Sequence, residues 1–145
     1  MLPYIGQFQS LFLLRSFTKM YGIPGLRLGY GLCSDTNLLE RMEEVRQPWS
    51  VSIPAQEAGI AALDETDWCR QVRSYVTEQR MWLAGELESM GCKVYPSSAN
   101  YLLFYLDQEL MESLKRKGIL IRDCSNYQGL TKGYYRIAVK TEEEN

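Results

Sequence analysis

The sequence predicts an α/β chain, and three observations carry that reading. Two short apolar runs, residues 11–14 and 26–32, flank a Gly-Pro-Gly turn as two strands flank a tight connection. From about residue 67 to residue 90, apolar side chains recur at helical spacing for longer than anywhere else in the chain. Beyond that stretch, strand-like and helix-like segments alternate, which makes the second half an α+β unit packed on the long helix.

Taken in order, Leu11-Phe12-Leu13-Leu14 is a continuous apolar run of the kind a buried strand shows. Residues 26–32 alternate with leucines on one face and read as a second strand. Ser34 or Asp35 can cap a helix over 36–47, where Leu38, Leu39, Met42 and Val45 form an apolar stripe. Pro48 stops it, and an extended loop leads to Pro54, which suits the first turn of another helix through Ala55, Gly59, Ala62 and Leu63. In the long helix Trp68, Val72, Tyr75, Val76, Leu83, Leu87 and Met90 line one side, and Gly91 terminates it. Residues 101–106 read as a strand, 108–117 as a helix closed by Gly118, and 119–122 and 134–139 as two further strands. The expected domains are 1–66 and 67–145.

Composition narrows the function classes. Of 145 residues, 46% are apolar and 23% charged, as in an ordinary soluble domain. Sixteen basic against eighteen acidic residues give a net charge of -2, without a basic stripe for nucleic acid or lipid. No apolar run approaches the ~20 residues of a membrane span, and the N-terminus lacks the charged-then-apolar pattern of a secretory leader. Cys33, Cys69, Cys92 and Cys124 are scattered, and the chain contains no histidine. Zinc sites and disulfide frameworks are therefore disfavoured, and Ser-His-Asp or Cys-His nucleophiles cannot be assembled. Acid–base work falls to lysine, tyrosine, cysteine, carboxylates or a cofactor.

The segment RSFTKMYGIPGLRLGYG, residues 15–31, holds the candidate chemistry. Lysine forms imines with carbonyl groups when neutral, and a phosphate-bearing aldehyde held there needs a hydroxyl and a guanidinium for its phosphate. Ser16, three residues before Lys19, and Arg27, across the turn, can supply both. Spacing alone leaves a solvated lysine beside an unrelated serine as the competing reading.

The order of residues decides further. SFTKMYGIPGLRLGY closely resembles the lysine motif of the fold-type I, pyridoxal-phosphate-dependent aminotransferases of classes I and II, in the branch of histidinol-phosphate aminotransferase and threonine-phosphate decarboxylase. The resemblance continues through SSANYLLF, GILIRDCSNYQGL and YYRIAVKTEEEN, in the family's order and over nearly the whole chain. It implies a C-terminal fragment of the pyridoxal-phosphate transferase fold: two strands of the large-domain sheet, a connecting helix and an α+β small domain. It implies that Lys19 is the Schiff-base lysine and that Ser16 and Arg27 hold the cofactor phosphate. Arg136 takes the substrate carboxylate, where a planar guanidinium gives two parallel hydrogen bonds. Arg122 corresponds to the residue that reads the substrate's phosphate. Asn100 matches a position lining the site, or is a turn-forming asparagine before the strand. On the inferred last strand Tyr135, Ile137 and Val139 share one face, which leaves Arg136 with small Ala138 on the other.

LIRDCSNYQGL followed by YYRIAV is closer to L-threonine-O-3-phosphate decarboxylase of cobalamin synthesis than to histidinol-phosphate aminotransferase. The implied partners are a phosphorylated amino acid substrate and a second copy in a homodimer, in the cytoplasm, without nucleic acid or membrane. Both ends read as cut, since the chain opens almost directly into a strand and stops on KTEEEN, a helix-start pattern. The pyridine-nitrogen partner and the ring-stacking residue then fall outside it. Two rival readings remain. The S-x-x-K of penicillin-recognising serine enzymes requires a helix that Gly22 and Pro24 interrupt, and a K-T-G that Lys140-Thr141-Glu142 does not provide. The other is a non-enzymatic remnant that binds no cofactor.

Overall fold

Phe12–Ser16 (β1) and Gly29–Cys33 (β2) pair antiparallel, from Phe12 opposite Cys33 to Ser16 opposite Gly29. The computed structural model describes residues 2–145. The chain divides into two compact units, the first ending at Arg70 and the second spanning Gln71–Asn145.

In the first unit, a 3-10 turn over Leu2–Gln7 precedes the β1–β2 hairpin. Two helices follow, Thr36–Val45 (α1) and Ile53–Asp64 (α2). The Asp35 carboxylate accepts from Leu38 N at 3.1 Å and the Ser52 hydroxyl from Ala55 N at 3.4 Å, each satisfying an otherwise orphan helix N–H. Phe17 is the anchor, 3% exposed, with its ring 5.0 Å from that of Tyr21 and 5.7 Å from that of Tyr30. Burying such a ring is worth roughly 1.5–3 kcal/mol. Gly59 lets α2 approach closely, because a Cβ there would lie 2.5 Å from Leu28 Cδ2.

Two expectations change here. The first strand is open rather than buried, with Leu14 80% exposed, because it belongs to a two-stranded ladder and pairs on one edge alone. The second strand starts at Gly29 instead of residue 26. Pro24–Leu26 coil into a 3-10 turn, and Arg27 follows with φ 52°, ψ 40° in the left-handed region, so the alternating leucines do not form one continuous strand.

The long helix α3, Thr66–Ser89, carries the chain from the first unit into the second. It ends on Gly91 at φ +86°, where Cys92 N donates to Leu87 O and Gly91 N to Glu88 O. The second unit holds a four-stranded antiparallel sheet in the order β3-β4-β6-β5: Lys93–Val94 (β3), Tyr101–Tyr105 (β4), Arg122–Asp123 (β5) and Tyr134–Ala138 (β6). Phe104 and Tyr135, each 2% exposed, form its core with Cys92, and Leu102 is buried to the same degree. The Tyr135 hydroxyl donates to Gln108 O and accepts from Leu110 N, which pins the entry to helix α4, Met111–Arg116.

The strand expected over 119–122 shrinks to β5. Gly118 takes φ +77° and Ile119 N turns back to Leu114 O, so the apolar residues 119–121 serve as a helix exit. The helix expected from residue 108 begins at Met111, because Gln108 N is engaged by Leu106 O in a turn. The short β3 went unseen, since two residues carry no periodicity. At the C-terminus Thr141 and Glu144 close a turn through their side chains, with Lys140 Nζ 2.8 Å from Glu144 Oε1.

Candidate functional site

The residues singled out by sequence fall into one group in each unit. In the first unit, Ser16 ends β1, and the ladder continues one step further through Phe17 N donating to Leu28 O. Arg27 is the residue before Leu28, so backbone pairing brings Ser16, Thr18, Lys19 and Arg27 to the same end of the hairpin. Buried Phe17 roots this end, while Ser16, Lys19 and Arg27 are exposed. Thr18, which sequence reasoning missed, belongs with them. Its N–H donates to Ser16 Oγ at 3.2 Å, and the two hydroxyls lie 2.9 Å apart. Lys19 O accepts from Gly22 N, closing the turn that displays the amine.

Arg27 is one of two described non-glycine residues at positive φ. Its N–H and its Nη1 both donate to Pro24 O, at 3.3 and 3.2 Å. A bulky side chain in this backbone region costs of order 1 kcal/mol, and such strain persists where geometry around it demands the conformation.

In the second unit, the register sets Arg122 of β5 directly opposite Arg136 of β6, and Arg136 opposite Leu103 of β4. Directly paired residues share a face, so both guanidinium groups stand on the side away from Phe104 and Tyr135. The expected alternation along β6 holds, with Tyr135 and Val139 buried and Ala138 exposed beside Arg136. None of the three ion pairs among the described residues involves Lys19, Arg27, Arg122 or Arg136. Two guanidinium groups side by side, without an ion-paired acid among the described residues, present donors of the kind that bind carboxylates and phosphates.

Cys124, 2% exposed, follows Arg122 by two residues. Burial pushes its thiol pKa up, and the Arg136 charge opposes that shift. Asp123, on the opposite face from Arg122, is held below the usual carboxylate range by hydrogen bonds from Ser125, whose N–H donates to Oδ1 at 2.8 Å. Asn100 sits in the bend before β4, where its carbonyl accepts from Val139 N. The bend is fixed by Ser97, whose hydroxyl accepts from Ala99 N and donates to Tyr101 O, and by Arg80 Nη1 donating to Ala99 O at 3.0 Å. Neither anchor carries a signal in a single sequence. The apolar groove of this unit, about 350 Å³, is lined by Phe104 and Ile137 on the other face of the sheet and offers no cation to an anionic ligand.

Comparison with known proteins bears on both groups. Residues 3–145 match the family model for aminotransferase class I and II. The chain belongs to the class I and II aminotransferase family. The family is pyridoxal-phosphate-dependent. Over 99% of its length the chain is 38% identical to histidinol-phosphate aminotransferase of Oleidesulfovibrio alaskensis, and over 99% it is 38% identical to threonine-phosphate decarboxylase of Salmonella typhimurium. It spans 39% and 41% of those relatives' lengths. The solved histidinol-phosphate aminotransferase from Clostridium acetobutylicum superimposes with a TM-score of 0.93 at 28% identity, over 99% of this chain and 45% of that one. The α/β fold is thus a part of the pyridoxal-phosphate transferase fold, with two sheets and several helices. Among the described residues, no helix is long and apolar enough to cross a membrane.

Proposed function

We propose that this chain supplies the cofactor lysine and the substrate's anion-binding arginines of a pyridoxal-phosphate enzyme acting on a phosphorylated amino acid or amine. The observation that carries the reading is the pairing of Arg122 with Arg136 on one sheet face, with no acid ion-paired to either among the described residues. Two guanidinium groups side by side suit a ligand with two anionic ends. The relatives named above act, by their names, on histidinol phosphate and threonine phosphate.

The donor set at the hairpin end fits the cofactor. The paired hydroxyls of Ser16 and Thr18 and the strained Arg27 are donors suited to a phosphate dianion, and Lys19 is an exposed amine in the same turn. When bound, pyridoxal phosphate supplies an electron sink for charge developing at the substrate's α-carbon. Lys19 would hold the cofactor through its aldehyde carbon, and its amine would carry a proton to or from the substrate's α-carbon. Arg136 orients the substrate through its carboxylate, Arg122 through its phosphate, and Asn100 lines the same region.

L-threonine-O-3-phosphate decarboxylase, of cobalamin synthesis, is the specific reading, from LIRDCSNYQGL followed by YYRIAV. Histidinol-phosphate aminotransferase is the second. It is favoured by the likeness to the Clostridium structure and by an arginine clamp that retains the carboxylate rather than releasing it. A cytoplasmic homodimer is the expected form of either.

The test is made in the full-length polypeptide. Borohydride reduction followed by peptide mapping should find the cofactor on Lys19. Arg122→Ala should lower catalytic efficiency on phosphorylated substrates by roughly ten- to a thousandfold, and far less on unphosphorylated analogues. Equal losses on both substrate types would remove Arg122 from the phosphate site, and label on another residue would remove Lys19.

A further inference from the structure

Arg136 has no carboxylate within ion-pair distance among the described residues, and its cross-strand neighbour Arg122 carries the same charge. Its guanidinium carbon lies instead 4.9 Å from the centre of the Tyr101 ring. The register explains the meeting. Tyr101 is opposite Ala138 and Leu103 opposite Arg136, so Tyr101 and Arg136 are diagonal neighbours on one face of the sheet. Tyr101 is itself well placed. Ser97 Oγ donates to its carbonyl at 2.7 Å, Val139 N donates to Asn100 O at 2.9 Å, and Arg80 holds Ala99 O. The ring is 42% exposed and packs into no core, which leaves the arginine as the partner its position serves.

We infer that Tyr101 is a positioning residue for Arg136, and through it a determinant of affinity for substrates that carry a carboxylate. The inference rests on the reading of Arg136 as the carboxylate ligand. An arginine with four rotatable bonds and a like charge beside it is poorly ordered by itself, and a ligand must then supply the ordering. An aromatic face against one side of the guanidinium plane attracts the cation and leaves the N–H edge free for a carboxylate. The phenol oxygen has no part in this, so phenylalanine should replace tyrosine.

The experiment measures, in the full-length enzyme, dissociation constants for a phosphorylated amino acid and for the corresponding phosphorylated amine lacking the carboxylate, both read from cofactor absorbance. Tyr101→Leu should weaken the amino acid by about three- to thirtyfold and leave the amine within about twofold, with kcat changed little. Tyr101→Phe should restore wild-type affinity. Should the leucine variant fold poorly by circular dichroism, Tyr101→Ile keeps the β propensity of the site and serves the same comparison. Equal weakening of both ligands, or a phenylalanine variant as weak as leucine, would overturn the inference. So would an unchanged affinity in Tyr101→Leu while Arg136→Ala loses the carboxylate ligand, and in that case the carboxylate reading survives. If Arg136→Ala changes nothing, the carboxylate reading fails and the inference falls with it.

Discussion

The two units solve the problem of displaying charged groups in opposite ways. The first roots the turn that carries Lys19 in one buried ring, Phe17, under a two-stranded hairpin with exposed apolar side chains such as Leu14. The second lays its arginines on a four-stranded sheet whose other face holds Leu102, Phe104 and Tyr135, all nearly inaccessible. One display depends on backbone conformation, with Gly22 and Arg27 both at positive φ, and the other on register. A turn can aim an amine where no strand points, at the cost of strain. A sheet can set two like charges side by side because its core holds them there.

The largest effect separates chemistry from fold. In the full-length protein Lys19→Ala should reduce turnover by about a thousandfold or more while circular dichroism stays as in the wild type, since Lys19 is exposed. An alanine variant keeping a substantial share of turnover would show that the hairpin end is not the reacting centre.

Next comes the core beneath the second unit's sheet. Phe104→Ala, at a 2% exposed site, should cost about 3–5 kcal/mol in denaturant unfolding. A loss under about 1 kcal/mol would erase the contrast between the units.

Strain gives an intermediate effect with two readouts. Arg27→Gly removes the left-handed penalty at φ 52° and should leave stability unchanged or raise it by no more than about 1 kcal/mol. The same change should weaken pyridoxal phosphate binding in the full-length enzyme by roughly ten- to a hundredfold, as measured by cofactor titration. A fall in stability with intact cofactor affinity would reassign Arg27 to a structural role.

The smallest effect on stability bears on the open hairpin. Two paired strands present unpaired backbone on their outer edges, and Leu14 adds apolar surface. The 145-residue chain should therefore self-associate, plainly visible by gel filtration with light scattering. Leu14→Lys should shift it toward monomer while altering stability by no more than about 0.5 kcal/mol. A clean wild-type monomer would mean that the edges are protected in some other way.

What the sequence determined by itself was mostly local. Apolar periodicity located α3 to within one residue at each end, and Asp35, Pro54 and Gly91 marked boundaries because caps, first-turn prolines and terminators act within a few residues. The order of residues from Ser16 to Arg27 pointed to the family, and alternation alone put Arg136 on the face away from Tyr135. Tertiary structure decided the rest, for reasons that no spacing encodes. Arg27 left the strand because its backbone hydrogen bond goes to Pro24 O, and residues 119–121 became a helix exit because Ile119 N found Leu114 O. Thr18 joined Ser16 through a hydroxyl pair, while Arg122 met Arg136, and Tyr101 met Arg136, across strands far apart in sequence. Those pairings depend on register, and register is set by which side chains the opposite face of the sheet can bury.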